Sequence, residues 1–160
     1  MSLDATVYCD CYERGRMRTP PPQPEFVSVD ETGGLSLEWD QPNADQNAFY
    51  DWRATACEHG PWGQLVSHRL GNIALITFLR ELLAKEPLGF PILLTKVLYN
   101  GVHGGDFLSP TDVDLVRFEV ERLKEVHAVD DGDEPFIREF ELQMRQLVQA
   151  AQSVGKPIAF

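Results

Sequence analysis

At 160 residues and 43% hydrophobic content, the chain is the size of one domain burying roughly 70% of its extended surface, so neither metal nor disulfide is needed to make a fold possible. A formal charge of −11 excludes a phosphate-backbone binder and docking onto an anionic membrane, both of which need a basic footprint. It fits water, a basic protein surface or a cation.

The chain opens on Met1-Ser2-Leu3-Asp4. No charged region here precedes an apolar one, and no apolar run approaches bilayer length, which points to the cytoplasm. Three cysteines in a reducing compartment read as thiols or metal ligands before they read as a disulfide framework.

Residues 5–12, Ala-Thr-Val-Tyr-Cys-Asp-Cys-Tyr, alternate with period two and predict a half-buried strand. Ala5, Val7, Cys9 and Cys11 then share its inner face. Arg14, Arg16 and Arg18 are followed by Pro20-Pro21-Pro22 and Pro24. This run lacks backbone donors and reads as a stiff connector, or as a docking arm for an aromatic groove, the connector being the plainer account. Residues 26–30 and 35–39 form a hairpin across Gly33-Gly34, expected to pair beside the first strand.

Asn43 or Asp45 caps a helix whose stripe is Phe49, Trp52, Arg53 and Ala56, stopped by Gly60-Pro61. A second helix is expected from Ser67 to Lys85, apolar around most of its circumference and so central and buried. Residues 90–99 fit a short helix or a buried strand, with helix favoured. Ser109-Pro110-Thr111-Asp112 is a strong helix start: a capping hydroxyl, a proline at the first position and an acid in the first turn. The final helix begins at Asp133-Glu134-Pro135 and buries Phe136, Ile137, Phe140, Met144, Leu147 and Ala151. Gly155-Lys156-Pro157 stops it before a short apolar tail. These elements predict a single α+β domain, residues 1–160, in which a small amino-terminal antiparallel sheet packs against four or five helices.

One set of residues has the ligand types of a tetrahedral zinc shell: Cys9, Cys11, Cys57 and His59. Positions i and i+2 of a strand point the same way, so Cys9 and Cys11 suit one ion. Cys57 and His59, if helical, diverge by about 200° around the axis and converge only where the helix unwinds. Against zinc stand Cys9 and Cys11 as small hydrophobes on an inner face and His59 as a cation at a helix end, and that plainer reading leads. No catalytic set emerges. Cys57 late in a helix gains no thiolate stabilisation, and a Cys9–Cys11 bridge is geometrically poor. The loop from Asn100 to Asp106 offers His103 and Asp106 to an anion or small polar ligand, without a nucleotide-binding glycine pattern. Asp130 to Glu134 lacks the alternation of a calcium loop, and Glu119, Glu121 and Glu125 read as a wet helix face.

The segments Tyr8-Cys9-Asp10-Cys11-Tyr12-Glu13, Pro20-Pro21-Pro22 and Ala56-Cys57-Glu58-His59 resemble a group of uncharacterised bacterial proteins of similar length. The acidic character and lack of a catalytic motif are similar to bacterial toxin-immunity and other partner-binding proteins. The resemblance implies a non-enzymatic cytoplasmic protein that binds a partner with a basic surface. A metal- or thiol-dependent protein built on Cys9, Cys11, Cys57 and His59 is the alternative.

Overall fold

The computed structural model describes residues 2–38, 40–87, 89–99 and 104–160. Trp39 and His103 therefore lie outside the described residues. The fold is α+β, a small antiparallel sheet packed against helices. In chain order the elements are β1 (Ser2–Tyr8), β2 (Val27–Val29), β3 (Leu35–Leu37), α1 (Gln46–Thr55), β4 (Gln64–Asn72) and α2 (Ile73–Leu83). A π-helical turn (Leu93–Val97) follows, then β5 (Phe107–Leu108), α3 (Pro110–Arg122), α4 (Glu134–Val154) and β6 (Ile158–Ala159).

The sheet runs β4-β1-β6-β5. β1 pairs along its length with β4, Ala5 opposite His68 and Val7 opposite Val66. On its other side Thr6 meets Ala159, so the apolar tail is a strand. Leu3, Ala5 and Val7 are fully buried, as the alternation requires. The strand stops at Tyr8, four residues short of the expected end, and the two cysteines lie in the turn beyond it. The hairpin does not join this sheet: β2 and β3 pair only with each other.

The helix expected from Ser67 is half strand. β4 occupies residues up to Asn72, whose side chain accepts from the Leu75 amide at 3.0 Å and starts α2. Nor is α2 buried all round, since Ile73 is 47% exposed. The helix that spans the sheet is α4, whose Ile137, Phe140, Met144, Leu147 and Ala151 are buried at alternating spacings of three and four, with Val148 buried beside them. Phe136, expected inside, is 45% exposed.

Two local signals are realised directly. Ser109 and Asp112 form a reciprocal capping box at the start of α3, and Asp45 caps α1 by accepting from the Ala48 amide at 3.0 Å. Of residues 90–99, 91–97 are helical and none is extended strand. Their amino end is capped from another element: Glu119, buried and not part of a wet face, accepts from the amides of Ile92 and Leu93 at 2.9 Å each.

Two hydrophobic clusters result. The larger fills the space between the sheet and α2, α3 and α4. The smaller, under the hairpin, comprises Val27, Leu37, Phe49, Trp52 and Ala56. The candidate site lies where the two meet. Among the described residues no helix is long and apolar enough to cross a membrane.

Candidate metal centre

Two turns bring the three thiols and the imidazole together. The first follows β1. The Arg14 amide donates to the Asp10 carbonyl at 3.0 Å and the Arg16 amide to the Cys11 carbonyl at 2.7 Å, folding residues 10–16 back on themselves. The second follows α1, which ends at Thr55 with Ala56 as its carboxyl cap. Cys57 and His59 are thus beyond the helix, and the angular objection to their convergence disappears. The Cys9 amide donates to the Gly63 carbonyl at 2.8 Å and the Arg18 amide to the Ala56 carbonyl at 2.7 Å, holding the turns side by side.

The ligand atoms of Cys9, Cys11, Cys57 and His59 all lie within 4.8 Å of one another. Cys9 Sγ is 3.8 Å from Cys57 Sγ, and His59 Nδ1 is 3.3 Å from Cys11 Sγ and 3.8 Å from Cys57 Sγ. A tetrahedral zinc with ordinary bond lengths has edges of about 3.8 Å between sulfurs and about 3.5 Å between sulfur and nitrogen. Three of the six separations lie within a few tenths of an ångström of those edges and the other three are at most 4.8 Å; four protein ligands would complete such a shell. Cys11 and Cys57 are buried, while Cys9 and His59 are partly exposed. The expectation that these thiols serve separately in strand and helix packing is corrected: strand and helix both end before reaching them.

Burial pushes all three thiols up from their ordinary value, as it must where desolvation opposes a thiolate. A divalent cation reverses that preference by taking the place of the protons.

Two contributors escaped the sequence reading. Asp10, between the two cysteines and only 6% exposed, pairs with both Arg14 and Arg16. Burial works to raise its carboxyl, but the two guanidiniums outweigh it and hold it below the usual carboxylate range. The signal was available, since the chain's one basic cluster begins four residues after an acid. The second is Gly63. With φ of +73°, a Cβ there would lie 3.3 Å from Cys9 Sγ and 4.0 Å from Cys57 Sγ, so glycine meets both the backbone and the space requirement.

The arginine–proline segment is fastened down. The Thr19 carbonyl accepts from Trp52 Nε1 at 3.0 Å, and Gln23 bridges to Asn43 and Asp45. Of the ligand-loop pair, Asp106 accepts from the Tyr99 hydroxyl and its carbonyl accepts from the Phe160 amide at 2.8 Å; it closes the sheet edge. No family model, curated protein or solved structure matches the chain.

Proposed function

We propose that this is a non-enzymatic binding protein whose smaller cluster is locked to the main body by a structural zinc ion on Cys9, Cys11, Cys57 and His59. The observation that carries the reading is the mutual approach of four ligand atoms to within 4.8 Å, with three of the separations close to the edge lengths of a zinc tetrahedron. A shell completed by protein leaves no coordination position for substrate, which favours a structural over a catalytic ion. The ion ties residues 9–11 to residues 57–59 and so fixes the hairpin and α1 against the sheet. The remaining function is recognition. The net charge of −11 favours a partner with a basic surface, as in toxin–immunity pairs.

Elemental analysis of protein purified without added metal tests the site, with about one zinc per chain expected and three chelator-released thiols. Cobalt replacement should give the intense visible absorption of a tetrahedral thiolate complex, lost in Cys11→Ser. Substoichiometric zinc that cannot be restored by reconstitution under reducing conditions sinks the proposal.

A further inference from the structure

Among the described residues several arginines meet no carboxylate, and Arg53 is set apart from the others by its place in a cleft between two aromatic rings. Arg14, Arg16, Arg138 and Arg145 each meet one. Arg53 does not. Its guanidinium lies over the Tyr8 ring at 5.7 Å and the Trp62 ring at 5.3 Å, and its Nε is buried with no acceptor. Arg122 also has a buried Nε without an acceptor, but its Nη2 donates to the Gly89 carbonyl at 2.7 Å.

Arg53, Tyr8, Tyr12, Trp62, Glu13 and Lys156 line one cleft beside the candidate metal centre. Lys156 pairs there with Glu13 and donates to the Gly33 carbonyl at 3.0 Å, so the Arg53 charge is left over. The enclosed volume is about 20 Å³, room for one oxygen-sized group. Trp62 lines this cleft and is 37% exposed; Tyr50, outside the lining, meets its ring edge to face at 5.5 Å. Trp62 is also the one non-glycine residue with positive φ, +69°, among the described residues, a conformation that costs about 1–3 kcal/mol and concentrates at ligand-binding positions.

From this juxtaposition we infer that the cleft is an oxyanion site. One oxygen of a carboxylate or phosphate monoester accepts from the Arg53 guanidinium where it lines the cleft, and the ligand's flat apolar body lies against the exposed Trp62 ring. A guanidinium held between two rings without a carboxylate gains most from a charged acceptor. An aromatic body adds stacking that an inorganic ion lacks. Cys9 and Cys57 of the proposed zinc shell line the same cleft, while Arg53 lies outside that shell, so the zinc content of each sample separates the two readings.

Calorimetric titration of the full chain with phenyl phosphate, benzoate, benzamide and inorganic phosphate tests it, with zinc content measured in each sample so that loss of metal is distinguishable from loss of the cleft. The aromatic anions are expected to bind with Kd of about 1 mM or tighter, the better of the two identifying the headgroup. Neutral benzamide and bare phosphate should bind at least about tenfold more weakly, the size of one charge-assisted hydrogen bond or one stacked ring. Arg53→Met should lower affinity for the aromatic anions about 10- to 100-fold, and Trp62→Gly should lower it while relieving the backbone. Absence of binding by both aromatic anions up to about ten times that Kd overturns the proposal. So does benzamide binding as well as benzoate, a comparison that holds even if the Arg53 variant does not fold.

Discussion

Around the four-stranded sheet, Leu3, Val7, Leu93, Val116, Ile137, Phe140, Met144 and Leu147 are among many side chains excluded from water. Under the hairpin, among the described residues, only Val27, Leu37, Phe49, Trp52 and Ala56 form such a cluster. The first cluster is large enough to stand on apolar burial alone. The second is not, and polar fastenings surround it: the thiol–imidazole cluster, Asp10 between Arg14 and Arg16, Trp52 Nε1 on the Thr19 carbonyl, and Lys156 reaching Gly33 and Glu13. Where a core is too small to order its own backbone, specific cross-links take over, the logic of small metal-bound domains. The two regions should therefore fail under different insults.

The largest effect is expected in the main core. Phe140→Ala, at a 1% exposed position, should destabilise the whole chain by about 3–5 kcal/mol, measured as a parallel shift of the denaturation midpoint by far-ultraviolet circular dichroism and tryptophan fluorescence. A shift confined to fluorescence would mean that the sheet and α4 do not carry global stability.

Chelation, or Cys11→Ser, should strike the other region. Hydrogen-exchange protection across Val27–Val29 and Gln46–Thr55 is expected to fall about 100-fold, roughly 3 kcal/mol, while α4 keeps its protection. Equal loss in both regions would merge the two cores into one cooperative unit. Smaller again is Gly63→Ala, which combines a +73° φ with a methyl 3.3 Å from Cys9 Sγ. About 1–3 kcal/mol of destabilisation is expected, with weaker zinc retention in competition against a chelator.

The smallest concerns Asp112, which works far from the metal centre. Burial tends to raise its carboxyl, but hydrogen bonds from Lys96 and Ser109 outweigh that and hold it below the usual range. A carboxyl depressed by folding contributes stability that is complete above its unfolded value and disappears as pH falls through the folded one. Asp112→Asn should therefore cost about 1 kcal/mol at neutral pH, and the difference from the parent chain should vanish in urea titrations repeated at progressively more acidic pH. A difference that persists unchanged into acid would assign the loss to packing instead.

Legibility in the sequence followed the range of the interaction. Asp45, Ser109 with Pro110 and Asp112, and Gly155 mark helix ends because each acts within a turn of its own position. The face of α4 was readable because burial on one side of a helix repeats every three to four residues. The chemical type of the candidate ligand set was visible too, since thiol and imidazole chemistry belongs to the side chain wherever it lies. Tertiary structure decided the rest. Residues 67–72 are a strand because β1 supplies their ladder partners, and a segment of mixed periodicity takes the form its neighbour can bond. The hairpin pairs with itself because β1 is already flanked by β4 and β6. Cys9 meets Cys57, and Cys11 meets His59, across 48 residues of chain. Local propensity is blind to that separation, because contacts so distant in sequence exist only once the packing of every intervening element has closed the loop between them.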